Sequence, residues 1–410
     1  DVEAAVAGFE ADGMDALLVM LLTYSPSQIA LPALKRTRLP IIVWNTQELF
    51  AVDDAFDERA MVENHGVHGT QDLCNVLLRS GVEFQYVTAH LRDEGAAEAL
   101  GDLFAAAAAV RRLRGARLGL LGYPFPGMGD FALDTTHMAA TLGCQWVNLS
   151  VADYVERSAG ASQDDVEALV GEYRAAYEVA EDVTGQELEA TARAELALRG
   201  MVGEHGLDAL AYQFMAFGED ERTETTPFVA VSRLMADGVG FGGEGDLIAA
   251  AGTALLHWLR PPASFAEMFT VDFAGNGLFL SHMGEANPAM ARADRRAALT
   301  ARTRPITRTR QRQLVLTVCF EPGPATLCAL TPGPGGRWRL MASPVRIADF
   351  GPLPGVPLPH CKATPDGDVR DFLTAYAQAG GPHHLALCFG DARARIRAAA
   401  CMLNADYCEV

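Results

Sequence analysis

A recurring unit constrains this chain more than any other feature: a short apolar run, a polar loop, then a helical pattern. Residues 15–22 (D-A-L-L-V-M-L-L) are apolar enough for a buried parallel strand. T-Y-S-P-S-Q follows as a loop, and 29–35 reads as a helix. A second run at 41–44 ends in Asn45-Thr46-Gln47. N-H-G-V-H-G then opens a helix over 70–79, and 84–88 reads as another strand. An Ala-rich helix over 94–113 stops at Gly115. Alternation of this kind predicts a doubly wound parallel sheet, with ligand loops at the C-terminal ends of its strands.

The same rhythm restarts at 117–122, crosses the turn Y-P-F-P-G-M-G-D, and continues as a helix over 131–142 and a strand over 145–149. Long helices are expected at 163–183 and 187–205, with a strand at 208–214. The stretch T-P-F-V-A-V-S-R-L-M-A-D-G-V-G-F-G-G-E-G-D comes next, ahead of an apolar helix over 247–259. After Pro261-Pro262 the pattern changes: 268–273 and 277–282 alternate like a hairpin. Further strands at 313–320, 325–330 and 338–347 are separated by Pro/Gly turns. A helix (369–379), a strand (383–389), a helix (392–402) and a strand (407–410) complete the pattern. The expected fold is α/β: two doubly wound parallel-sheet domains, 1–115 and 116–260, then a mainly antiparallel β-rich domain, 261–410. Asp1 enters directly on a helical pattern with no methionine, so the first domain is expected to lack part of its start.

Charge narrows the partners. The net charge of −19 over 410 residues argues against nucleic acid or an anionic membrane surface. One basic run, R-T-R-P-I-T-R-T-R-Q-R at 302–312, is expected to be a solvated strand or loop. The eight cysteines form no C-x-x-C pair, and several sit inside apolar runs, as core thiols of a cytoplasmic protein do. No apolar stretch is long enough to span a bilayer, and no signal peptide is visible.

Four residues stand out as candidates for chemistry. Glu244 lies between glycines just before a helix, and Glu267 precedes a strand. His282 ends the return strand of the hairpin, and His384 belongs to the pair His383-His384. Two carboxylates with imidazoles make a mixed O/N donor set, suited to Mn²⁺ or a similar octahedral ion. The hairpin brings Glu267 and His282 together, whereas His384 joins only through tertiary folding. Each also has a plain structural reading. Glu244 fits a carboxylate favoured by a helix N-terminus, Glu267 a solvent-facing residue, and His282 a satisfied core histidine. His65 and His68 fit a cap and turn. On the residues alone both readings stand.

Taken in order, these motifs resemble the L-arabinose/L-fucose isomerase family, its arabinose branch more than its fucose branch. R-L-M-A-D-G-V-G-F-G-G-E-G-D is similar to that family's metal-site segment. S-F-A-E-M-F-T-V-D-F and L-F-L-S-H-M-G-E-A-N-P-A-M-A are similar to its next two ligand segments. T-Y-S-P-S and N-H-G-V-H-G resemble its sugar-facing loops, and the late His-His pair resembles its last ligand segment. The resemblance is colinear over nearly the whole chain.

It implies that Glu244, Glu267, His282 and His384 hold Mn²⁺, or another divalent cation such as Co²⁺ or Mg²⁺. Glu244 and Glu267 then double as the catalytic acid/base pair, and His65, His68, Asp246 and His383 contact the sugar. The implied activity interconverts an aldose and a ketose, of L-arabinose or L-fucose type, through a cis-enediol. The implied assembly is a homotrimer or homohexamer in which the first domain of one subunit helps close its neighbour's site. A non-catalytic sugar-binding paralogue and a sugar epimerase are the alternatives on the same scaffold. Two departures concern the sugar side: His65 stands where arabinose members have Gln, and L-A-L-C-F-G replaces a Thr-Val-Phe-like run after the histidine pair.

Overall fold

A computed structural model describes residues 2–302 and 304–410. Asp1, the start of the first expected domain, and Thr303, one position of the basic run, lie outside the described residues. The chain divides into two compact units. One runs to Arg111 and includes Arg397–Asn404; the other comprises Arg112–Ile396 and Ala405–Val410.

In the first unit, β1 (Leu17–Val19), β2 (Ile41–Asn45) and β3 (Gln85–Thr88) form a parallel sheet in the order β1-β2-β3. Strand β2 has a neighbour on each side, and Ile42 and Val43 are completely buried. Strand β1 is shorter than the run at 15–22 predicts, and Leu18, Met20 and Leu22 are exposed. The reason is positional: β1 is an edge strand, paired only with β2. Its inward residue, Leu17, packs with Val6, Leu34 and Leu73.

The second unit contains a four-stranded parallel sheet. The chain lays down β4 (Arg117–Leu121) and β5 (Gln145–Leu149), passes the short β6 (Glu178–Val179), and adds β7 (Ala209–Tyr212) and β8 (Gly240–Gly242). The order β5-β4-β7-β8 means that the chain builds to one side of β4 and then to the other. That reversal is the switch point of a doubly wound sheet. The Leu247–Leu259 helix carries apolar residues all round and is almost wholly buried. It packs on β7 and β8 on one side and on strands of the C-terminal sheet on the other, as an all-apolar helix requires.

That C-terminal sheet is a barrel. Strands β9 (Ala263–Asp272) and β10 (Gly277–Ser281) form the expected hairpin. Then β11 (Ala298–Ala301) and β12 (Leu314–Thr317) join β6 in a small separate sheet. The remaining strands are β13 (Gly323–Pro332), β14 (Trp338–Ile347), β15 (His360–Pro365), β16 (His384–Phe389) and β17 (Asp406–Glu409). The order β13-β16-β9-β10-β15-β14 closes through antiparallel pairing of β13 with β14, and β17 adds to β14 in parallel. Closure leaves no open edge among the six barrel strands. In the resulting register His384 lies opposite Glu267, and Glu267 opposite Ser281. Three adjacent strands therefore bring these positions level with one another.

Several expectations are corrected. The helix expected over 163–183 ends at Ala176, because the next residues form β6 and pair with β11. The helix expected from 131 starts at Thr135 with Asp134 as its cap, which leaves Asp130 and Phe131 in the preceding turn. Strand β15 falls where the pattern names none. The basic run is not simply solvated. Arg302 is only 8% exposed, stacks over Phe228 and donates to the Met283 carbonyl. Arg312 pairs with Asp182 and Glu187, tying the loop to the capping box of the Gly185–His205 helix. All eight cysteines are free thiols. Among the described residues, no helix is long and apolar enough to cross a membrane.

Candidate metal centre

The centre lies where the parallel sheet of the second unit meets the barrel. Strand β8 ends at Gly242, and a single helical turn, Gly243–Gly245, carries Glu244. Glu244 adopts φ 59°, a left-handed conformation that costs a non-glycine residue about 1 kcal/mol or more. Its carbonyl accepts from Phe125 N at 2.9 Å, which anchors the turn. The flanking glycines have a specific reason. A Cβ on Gly243 would come within 2.8 Å of His282 Nε2, and one on Gly245 within 2.4 Å of the Tyr123 carbonyl. Glu244 is therefore not the cap of the following helix; Asp246 is, accepting from Ala249 N at 2.8 Å.

The barrel supplies the rest. His384 begins β16, Glu267 lies in β9, and His282 follows β10. Glu244 Oε2 is 3.8 Å from His384 Nε2, and Glu267 Oε2 is 3.9 Å from His282 Nε2. Two sets of potential ligand atoms, Glu244/His383/His384 and Glu267/His282/His384, each fall within 4.8 Å and share His384. The four residues expected as ligands thus come together, and His383 joins them.

Each of the three imidazoles is held from behind by a carboxylate. His282 Nδ1 lies 2.5 Å from Glu285, whose other oxygen accepts from the Tyr212 hydroxyl. His384 Nδ1 lies 3.0 Å from Asp246. His383 Nδ1 lies 2.5 Å from Asp130. An ionised carboxylate only accepts, so Nδ1 carries the proton and a neutral ring offers its lone pair at Nε2. All three Nε2 atoms are buried without a hydrogen-bond partner. An unpaired buried polar atom costs about 1–3 kcal/mol, and three together mark a place for a ligand. Aromatic rings wall the site: Phe265 meets His282 and His384 edge-on, and Phe131 lies flat against His384.

The same contacts set the charges, and a cation would have to displace the protons that the raised histidines hold. Burial pushes the Glu244 carboxyl up, but nearby His383, His282 and His384 pull it below its usual range, so it is ionised. Burial lowers His282, and the Glu285 charge more than offsets that, leaving it raised. Burial likewise lowers His383, yet Glu244 and Asp130 raise it to about 9. Burial, then the Glu285 charge, drives the Tyr212 hydroxyl far up, so it stays protonated as a donor. Carboxylate oxygens and imidazole nitrogens clustered within 4.8 Å of one another in each set fit a hard-to-borderline divalent cation.

The residues expected on the sugar side are placed differently from one another. His383 is 30% exposed, against 3% for the His282 side chain, and so stands at the mouth of the site. Asp246 is buried with both oxygens engaged, so it orients His384 from behind. His65 and His68 belong to the first unit, where His68 Nδ1 and His65 Nε2 are 2.8 Å apart beside the Tyr24 ring. Sequence reasoning missed Glu285, Asp130 and Tyr212. A signal existed for Glu285, three residues after His282 in S-H-M-G-E; none existed for the other two, which are distant in sequence from their partners.

The chain is similar to known proteins over most of its length. Residues 133–260 match the family model of the L-arabinose isomerase central domain, and residues 262–406 that of the L-arabinose isomerase C-terminal domain. A protein named L-arabinose isomerase from Nocardioides sp. is 31% identical over 392 residues, covering 92% of this chain and 76% of the relative. One from Acidothermus cellulolyticus is 29% identical over 399 residues, covering 92% and 77%. L-arabinose isomerase 1 of Bacillus licheniformis is 27% identical over 388 residues, covering 91% and 76%.

Proposed function

The chain belongs to the L-arabinose isomerase family, and from that premise we propose that it is a divalent-metal-dependent ketol isomerase acting on an L-arabinose- or L-fucose-type sugar. The reaction runs through a cis-enediol. Glu244, Glu267, His282 and His384 would hold Mn²⁺, or Co²⁺ or Mg²⁺ in its place. One observation carries the reading: three buried imidazole nitrogens without partners stand beside two carboxylates, each ring fixed by a carboxylate behind it.

Aldose and ketose differ by a proton moved between C1 and C2 and by the matching exchange of hydroxyl protons. A cation held at the centre would supply Lewis acidity to the reacting sugar. The remaining work belongs to side chains. One of Glu244 and Glu267 takes the carbon proton and returns it to the neighbouring carbon, and the other serves the hydroxyls. Glu285 and Asp246 keep the two ligand rings in one orientation and one tautomer. His383 meets the sugar at the mouth of the site. Phe131 and Phe265 keep one wall apolar and limit water there.

The proposal extends to domains and assembly. Three domains divide near residues 115 and 260, and a homotrimer or homohexamer lets His65 and His68 of one subunit reach a neighbour's sugar. Incubating the Mn²⁺-loaded protein with a panel of aldoses and assaying ketose tests the activity. Conversion of an L-arabinose- or L-fucose-type sugar is the expected result, and no ketose from any sugar overturns it.

A further inference from the structure

The turn Tyr123–Phe131 belongs to no strand or helix, yet it touches the centre at three points. Its Phe125 N–H donates to the Glu244 carbonyl. Its Asp130 takes two hydrogen bonds from His383, one from Nδ1 at 2.5 Å and one from the backbone N–H at 3.3 Å, both on Oδ2. Its Phe131, 3% exposed, lies parallel to the His384 ring at 5.6 Å and 11°. Two consecutive residues thus grip two consecutive histidines, one by a polar contact and one by an apolar wall. Asp130 lies outside both segments that match the family models.

From this geometry we infer that Asp130 is a positioning residue, which turns His383 so that its Nε2 faces the sugar beside Glu244. His282 and His384 have their own carboxylates and are almost inaccessible. His383 is the imidazole of the three whose ring solvent reaches, while its Nε2 is turned in toward Glu244 and is itself buried. Its Nε2 stands 4.0 Å from Glu244 Oε2. That is too long for a direct hydrogen bond, but one hydroxyl oxygen placed about 2.8 Å from each atom bridges them. The double contact on Oδ2 holds both the ring and the backbone of residue 383, so the ring cannot flip without losing its partner. An unsupported ring would present either nitrogen, and the bridging position would be populated only part of the time. The role assigned to His383 here rests on the proposed sugar chemistry; the Asp130–His383 coupling does not.

The test uses the whole Mn²⁺-loaded chain and L-arabitol, a polyol that cannot be isomerised. Asp130→Ala is expected to weaken L-arabitol binding about 10- to 100-fold while bound Mn²⁺ stays at the wild-type amount. Asp130→Asn retains an oxygen that accepts from Nδ1–H and is expected to recover most of that loss. In a His383→Ala background, Asp130→Ala should add less than about twofold, because coupled residues are not additive. In Mg²⁺-loaded, ¹⁵N-histidine-labelled protein, where no paramagnetic ion broadens the signal, a carboxylate-bonded Nδ1–H also gives a downfield proton resonance, and Asp130→Ala should remove one such signal, the one missing from His383→Ala. This last reading needs neither sugar nor turnover. A wild type that binds no L-arabitol and converts no aldose defeats the functional reading, and the resonance then decides the coupling alone. Equal losses with and without His383, a fall in bound Mn²⁺, or an unchanged His383 resonance overturns the role of Asp130.

Discussion

Two pairs of histidines on this chain are built on opposite plans. His282 and His384 are buried, each has a carboxylate on Nδ1, and each leaves Nε2 without a partner. His65 and His68, in the first unit, hydrogen-bond to each other, their rings 4.6 Å apart and nearly perpendicular. The first plan uses one nitrogen for orientation and leaves the other without a partner, as the proposed cation requires. The second has the two rings satisfy one another and leaves His68 exposed, which suits the proposed contact with a sugar hydroxyl. A carboxylate behind the ring fixes its orientation at His282, His383 and His384 alike, and the His65–His68 pair has none of this support.

Substitutions at the two pairs sharpen that contrast. The largest effect is expected at the reacting carboxylates: Glu267→Gln should lower ketose formation by about 10²- to 10⁴-fold, with an unchanged far-ultraviolet circular dichroism spectrum. Turnover near the wild-type rate would remove Glu267 from the reaction. Next comes the support behind the ligands. Glu285→Ala should weaken Mn²⁺ binding about 10- to 100-fold, measured by titration into metal-stripped protein. Undiminished affinity would mean that the His282 ring needs no carboxylate. Removing the cation with a chelator should lower the melting temperature, and added Mn²⁺ should restore it, because a ligand that binds only the folded state stabilises it. A melting curve indifferent to Mn²⁺ would break the proposed centre. His68→Ala should leave bound Mn²⁺ untouched and raise KM about tenfold, the effect of a lost hydrogen bond; loss of Mn²⁺ would erase the distinction between the pairs. The smallest change is expected from His65→Gln, a shift in KM of less than about threefold, since an amide also accepts and donates at that position.

The pattern of the chain carried much of this. Strand β14 and the Leu247–Leu259 helix follow directly from alternation and from an unbroken apolar stretch. The hairpin of β9 and β10 follows from alternation around A-G-N-G, with Asn276 in the left-handed conformation such a turn asks for. Other parts were not legible. The edge position of β1 exposes residues that hydropathy alone would bury. The basic run reads as solvated, yet Arg302 finds Phe228 and the Met283 carbonyl. Composition records a charge; it does not record what the fold sets against it.

The candidate centre divides along the same line. Residue types and their order marked Glu244, Glu267, His282 and His384, because a cation site needs donors and donors are few in kind. The pairing register set His384 opposite Glu267, and Glu267 opposite Ser281, the residue just before His282. The glycines around Glu244 were visible as letters, but their purpose was not: Gly243 makes room for the His282 ring, and Gly245 for the Tyr123 carbonyl. Asp130, Glu285 and Tyr212 became part of the site only through folding. Donor chemistry is a property of a side chain and can be read from its name. Orientation is a property of what stands behind that side chain, and for Asp130 and His383 that contact spans 253 positions of sequence.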